Sequence, residues 1–235
     1  MFRNLVFLIS LSSTGGLGVC GLVFAAPAKH VEIAYELTRN GAAVAESVEK
    51  LEHDGKAYSI SGQTKGKGLL ALRGDVTRVS RGMIGPEGLR PAEFEDLRSG
   101  RETARAKFDW RARTLTLQTG EGTAESRPLP EDAHDRLSFA YSFAFRTPGS
   151  APIGFSVTDG KGLSVSVYQP AGRETLKTPA GEFETLKMAR RKNSPEDRVS
   201  EIWLSVRHGL VPVRVLVVEK DGTRIDQVAT RLVTR

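Results

Sequence analysis

The feature that most constrains this chain is a two-residue alternation of apolar and polar side chains, broken at intervals by turns that tolerate positive φ. Val31, Ile33, Tyr35 and Leu37 alternate with Glu32, Ala34, Glu36 and Thr38, so one face of an extended segment is buried and the other wetted. Asn40-Gly41 follows, and Asp54-Gly55, Asp159-Gly160 and Asp221-Gly222 repeat the signal between segments of the same kind. These pairs reach the backbone of tight hairpins at little cost. At least three or four hairpins result, which makes the expected fold all-β and mainly antiparallel.

Further strands are expected at 57–60, 68–72, 75–81, 103–109, 114–119, 154–157, 163–168, 183–191, 198–206, 211–219 and 224–232. The one from Val211 is apolar on both sides and so belongs inside the sheet, with pairing starting after Pro212. Residues 82–100 read as a long connection with a helical turn near 91–97. From Asp132 to Phe145 the period changes: Leu137, Ala140, Tyr141, Ala144 and Phe145 recur at helical spacing, and Asp132 or Asp135 can cap the start. A helix of about three turns packed on the inner face is expected. The architecture is then a curved sheet or half-open β-barrel around one α-helix.

The first 28 residues place this fold. Arg3 supplies a positive start, Leu5 through Phe24 is apolar and small, and Val23-Phe24-Ala25 or Ala26-Pro27-Ala28 offers a cleavage site. Residues 1–28 read as a signal peptide and 29–235 as one exported β domain in the periplasm, with no membrane span once the leader is gone. Cys20 is an unfavourable lipidation site, because bulky Val19 precedes it and the apolar run continues past it. It is the chain's sole cysteine, so the mature domain has no disulfide, thiol nucleophile or thiolate zinc site.

The 34 Lys plus Arg against 28 Asp plus Glu give a net charge of +6, with the signs interspersed. One compact cluster, Arg190, Arg191 and Lys192, falls at an expected hairpin tip and is the candidate for contact with anionic surfaces. No zinc-finger spacing, helix-turn-helix pattern or basic-aromatic run supports nucleic-acid binding.

Several blocks together resemble a bacterial family of exported proteins, DUF3108. They are Tyr35-Glu36-Leu37, Asp54-Gly55-Lys56-Ala57-Tyr58, Gly88-Leu89-Arg90-Pro91-Ala92-Glu93-Phe94 and Phe108-Asp109-Trp110. In the second half they are His134-Asp135-Arg136-Leu137-Ser138, Thr158-Asp159-Gly160-Lys161, 174–183, Glu201-Ile202-Trp203-Leu204 and Leu210-Val211-Pro212-Val213-Arg214. The resemblance runs from about Ile33 to Val233. It implies an envelope protein with a curved antiparallel sheet and carries over no catalytic residue.

Chemistry is sparse. His30, His53, His134 and His208 lack ligand spacing, so neither a metal nor a cofactor is expected. Asp135, His134 and Ser138 lie close in sequence, but a helix surface supplies no oxyanion hole. Gly66-Lys67-Gly68 lacks the spacing of a phosphate loop, and Glu93, Glu95 and Asp96 have no fixed separation of the kind glycosidases use. No catalytic constellation emerges, and an enzyme acting on envelope glycan has least in its favour. Binding remains. A curled sheet with a helix inside suits a lipid or other apolar ligand, with Trp110, Phe139, Tyr141, Phe143 and Trp203 as candidate cavity-lining residues. The alternative is a non-enzymatic scaffold or regulator docked on an envelope protein.

Overall fold

The expected turns form as their residues dictate. Asn40 and Gly41 take φ of 50° and 84° and reverse the chain in two residues, and Gly55, Gly160 and Gly222 hold positive φ in the other three hairpins. In the Asp-Gly turns the aspartate closes the loop on itself: Asp54 Oδ1 accepts from the backbone N–H of Lys56 and Ala57, and Asp159 Oδ1 from those of Lys161 and Gly162.

The computed structural model describes residues 27–99, 104–146, 149–192, 194 and 197–235. The leader and Cys20 therefore lie outside the described residues, apart from Pro27 and Ala28. The strands are β1 (His30–Arg39), β2 (Ala42–His53), β3 (Ala57–Gly66), β4 (Val76–Gly85), β5 (Gly88–Arg98), β6 (Ala104–Asp109), β7 (Thr114–Thr119) and β8 (Glu125–Pro128). Then come β9 (Ala133–Asp135), helix α1 (Ser138–Phe145), β10 (Ile153–Thr158), β11 (Leu163–Thr178), β12 (Gly181–Arg190), β13 (Val199–Ser205), β14 (Val211–Val218) and β15 (Arg224–Thr234).

All fifteen strands join one sheet in the order β8-β7-β6-β5-β4-β3-β2-β1-β15-β14-β13-β12-β11-β10-β9. Neighbours are antiparallel except β9 and β10, which run parallel over three residue pairs. The first and last strands pair with each other in the middle, from Val31 opposite Thr234 to Arg39 opposite Ile225. Two arms leave this seam, and their outer strands, β8 and β9, follow one another in the chain without pairing.

The sheet is curled and left unclosed. α1 contacts both β5 and β14. Six inter-strand steps separate those strands, which at about 4.8 Å each would put them roughly 29 Å apart in a flat sheet, whereas a helix is about 10 Å across. The edge strand β9 also lies against β5. Beside it, a Cβ on Gly160 would approach Ala104 of β6 to 3.0 Å. The β9 edge is thus tucked inside the opposite arm. The main core fills this wrap with Ile33, Leu51, Ile60, Phe94, Leu115 and Tyr141, among others. A smaller aromatic cluster of Phe143, Phe155, Tyr168, Met188 and Ile202 sits under the second arm.

Four sequence expectations are corrected. Residues 82–100 contain a hairpin, because β5 absorbs Pro91 at a bulge opposite Gly82, where a proline needs no ladder donor. The expected strand at 68–72 is a turn of 3-10 helix, Gly68–Arg73, that exposes Leu69 and Leu72, each 85 % accessible. The helix expected from Asp132 is eight residues long, since 133–135 pair with β10 as β9. Pairing at β14 includes Pro212, on the β13 side alone.

Candidate ligand cavity

α1 is too short to hold itself and depends on its anchors. At its start Asp135, fully buried, accepts through Oδ1 from the backbone N–H of Leu137 and Ser138 at 2.9 Å each. Its Oδ2 accepts from Ser80 Oγ at 2.6 Å and Ser138 Oγ at 2.9 Å, which ties α1 to β4. Burial raises the Asp135 pKa even against these bonds. In the middle of the helix, Tyr141 Oη donates to Glu49 Oε2 on β2 at 2.9 Å, and Gln227 of β15 donates to Oε1 at 3.4 Å. Burial likewise raises the pKa of Glu49. Tyr35 Oη donates to the Pro212 carbonyl at 2.7 Å, so the two tyrosines link the central seam to both walls.

Alongside α1 lies a cavity of about 810 Å³ between the arms, within the range of small-molecule sites. Leu37, Val215, Val217 and Ile225 form an apolar wall on β1, β14 and β15, and Phe139, Ala140 and Leu163 face it from α1 and β11. The charged lining is uneven: Arg78, Arg136, Lys161, Arg190 and Arg198 against Glu49 and Asp159. Arg78 Nε donates to Asp96 at 2.9 Å, and Arg98 holds the other oxygen at 3.1 Å. Burial would raise the pKa of Asp96, but the two guanidinium groups outweigh it and hold the carboxyl low. Arg198 pairs with Glu219 at 3.3 Å. Arg136 stands in the cavity itself. It is exposed there; partial loss of solvation, with repulsion from Arg78 next and attraction to Asp96 and Asp159 opposing them, lowers its pKa to about 10.

Residues 32–229 match the family described as "Protein of unknown function (DUF3108)". The chain belongs to the DUF3108 family. No curated protein matches it. Its fold is shared by the beta-barrel-like protein of the domain of unknown function DUF1849 from Brucella abortus, with a TM-score of 0.54 at 7 % identity, covering 88 % of this chain and 98 % of that one. It is also similar to a "putative exported protein with YmcC-like fold" from Bacteroides fragilis, with a TM-score of 0.40, 11 % identity and coverage of 90 % and 99 %.

Of the five aromatics singled out in the sequence of this DUF3108 chain, Phe139 is on the cavity wall. Tyr141 turns into the main core and Phe143 into the smaller cluster, because neighbouring helical positions point in different directions. Trp110 follows β6, stacks on Phe108 with centroids 6.4 Å apart, and donates to the Pro91 carbonyl at 2.7 Å under Arg90. Trp203 is 4 % exposed, held between Lys187 at 5.4 Å and Arg214 at 4.6 Å, with Nε1 donating to Glu174. In the basic cluster, Arg190 reaches the cavity wall while Arg191 and Lys192 stay exposed beyond β12. Part of that hairpin tip (193, 195 and 196) lies outside the described residues.

The catalytic groupings weighed in the sequence are placed as follows among the described residues. Ser138 meets Asp135, but His134 points to the other side of β9, where it packs edge-on to Phe155 at 5.3 Å. Ser205 Oγ lies 2.7 Å from His208 Nδ1, a nucleophile-base pair by distance, but Ser205 is 1 % exposed and closes the turn after β13. Glu93 and Glu95 face away from the core that buries Asp96, as alternation on a strand demands. Lys67 is taken by Glu46 at 2.7 Å and Glu36 at 3.6 Å, so it has no phosphate-loop role. Among the described residues no three His, Cys, Asp or Glu side chains gather to hold a metal.

Apart from Arg190, the sequence missed the basic cavity residues because they are far apart: Arg78 on β4, Arg136 after β9, Lys161 in the β10–β11 turn and Arg198 after the β12–β13 loop. No local signal marked Arg136, which follows the polar run Glu131-Asp132-Ala133-His134-Asp135 as one more charge.

Proposed function

We propose that this DUF3108 protein is an exported, non-enzymatic binding protein that takes up a lipid or other molecule with a large apolar part in the course of cell-envelope maintenance. The observation that carries the reading is the 810 Å³ cavity itself, with valine, leucine and isoleucine along one wall beside a packed core. A sheet of about fifteen strands closed on itself would enclose a wide lumen. Here the β9 edge is tucked inside and the helix is short, which keeps space beside Phe139 and Ala140. The leader at 1–28 supports action in the periplasm, where an apolar molecule must be shielded from water to cross.

Two alanines of α1 separate this reading from a structural one. Ala140 is on the cavity wall and Ala144 is not. Ala140→Trp should abolish the fluorescence rise of the neutral probe N-phenyl-1-naphthylamine on binding and leave the unfolding midpoint near wild type, since the ring enters open space. Ala144→Trp should keep probe binding wherever the variant folds. Wild-type binding by a folded Ala140→Trp variant would remove the cavity from the account.

A second reading, a scaffold docked on an envelope protein, draws on Leu69 and Leu72, which are exposed together on the 68–73 turn. It requires no bound ligand.

A further inference from the structure

We infer that the molecule this cavity accepts is an anionic amphiphile, its charged head group held by the Arg136 guanidinium with Arg78 behind it and its tail against the Val215, Val217 and Ile225 wall. The inference rests on the uptake reading above and names the chemistry of its ligand. Five cationic side chains line the cavity against two carboxylates, and neither carboxylate forms an ion pair with Arg136. Glu49 already receives Tyr141 and Gln227. Asp159 Oδ1 accepts from the backbone of its own turn, from Lys161 and Gly162, and its carboxylate reaches Arg136 only through space. Asp96, the remaining nearby acid, is held by Arg78 and Arg98. Among the described residues the Arg136 side chain has no ion pair or hydrogen bond.

Arg136 is exposed within the cavity and unpaired, so its guanidinium is open to a ligand that supplies the opposite charge. Arginine fits the task because its planar fork meets two oxygens of a carboxylate or phosphate at once. Its placement is also fixed. The Arg136 backbone N–H donates to the Thr158 carbonyl at 3.0 Å, and the two residues that follow are pinned by Asp135. The guanidinium therefore projects from backbone held on both sides, as a recognition group must. Thr158, Asp159 and Lys161 bring the β10–β11 turn next to it, so a second cation borders the same end of the cavity. The apolar wall lies on β14 and β15 of the central seam, which puts charge and grease in one space.

The test is calorimetric titration of the wild-type mature protein and R136Q with decanoate, decyl phosphate, decan-1-ol and inorganic phosphate. Both tailed anions should bind wild type about tenfold or more tightly than the alcohol, as one charge-assisted bidentate contact would give. R136Q should bring them down to the level of the alcohol and leave the alcohol and the unfolding midpoint unchanged. A preference between the two tailed anions assigns the head group as carboxylate or phosphate. Equal binding of decanoate, decyl phosphate and decan-1-ol would overturn the anionic head group and leave uptake standing, whereas no binding of any tailed probe would overturn uptake itself. Inorganic phosphate binding as tightly as decyl phosphate would mean a site for a free anion and overturn the amphiphile. A loss of alcohol binding or of stability in R136Q would make Arg136 a structural residue.

Discussion

Glu49 shows how a single residue joins the fold to the cavity. Its carboxyl receives Tyr141 from α1 and Gln227 from β15 while forming part of the cavity wall. Burial raises its pKa above the ordinary 4.5, so the neutral form is favoured in the folded protein. Its contribution is then fully present below pH 4.5 and is lost as pH rises through the raised value. Asp96 has the opposite sign: with its pKa lowered by Arg78 and Arg98, its contribution is present above the ordinary 3.8 and lost as pH falls through the lowered value. Glu49→Gln keeps an oxygen for Tyr141 and removes the titration. Urea unfolding between pH 4.5 and 8 should show a flatter pH dependence for Glu49→Gln than for wild type, with the gain in stability largest at the alkaline end. Parallel curves would mean that Glu49 ionises in the fold as freely as in water. None of this was legible in the sequence, where Glu49 is one polar position in an alternating strand.

The element scale shows which local patterns suffice and which do not. A strand with clean alternation beside an Asn-Gly turn, such as β1, was readable because residue and backbone preference agree. β5 was hidden because Pro91 and three carboxylates mask the alternation of Leu89, Phe94 and Asp96. The bulge that accommodates Pro91 brings the backbone so close to Gly82 that a Cβ there would sit 2.1 Å from the Arg90 carbonyl oxygen and 2.7 Å from Pro91 Cα. Backbone atoms cannot move aside as a flexible side chain would, so Gly82→Ala should destabilise the protein by about 3 kcal/mol, the upper range of overpacking. The shift in urea midpoint reads it, and a change below about 0.5 kcal/mol, the ordinary scatter of surface substitutions, would contradict the bulge geometry. The start of α1 was misjudged for a related reason. Helical spacing continues back to Asp132, but residues 133–135 gain more by pairing with β10 and burying Asp135 against β4.

At the scale of the whole molecule, the order of strands follows from the chain's hairpins, yet the overlap of the arms does not. Hairpins are set by neighbouring residues. The tuck of β9 against β5 and the meeting of Gly160 with Ala104 join segments about forty to sixty positions apart, and no period announces them. The same holds for the cavity: of the five aromatics sought by residue type Phe139 stands on the wall, beside Tyr168, which was not among them, while the cations that distinguish it come from three separate turns and two strands. Curling around a short helix is the central structural claim behind ligand uptake, since it leaves space beside Phe139 and Ala140. The most direct measurement is native mass spectrometry of the mature protein, purified from the periplasm without detergent and followed by solvent extraction. A polypeptide mass carrying one stoichiometric adduct, released by solvent as a species with an apolar tail, is the predicted result. A bare polypeptide mass from protein never exposed to detergent or solvent would contradict it and favour the scaffold.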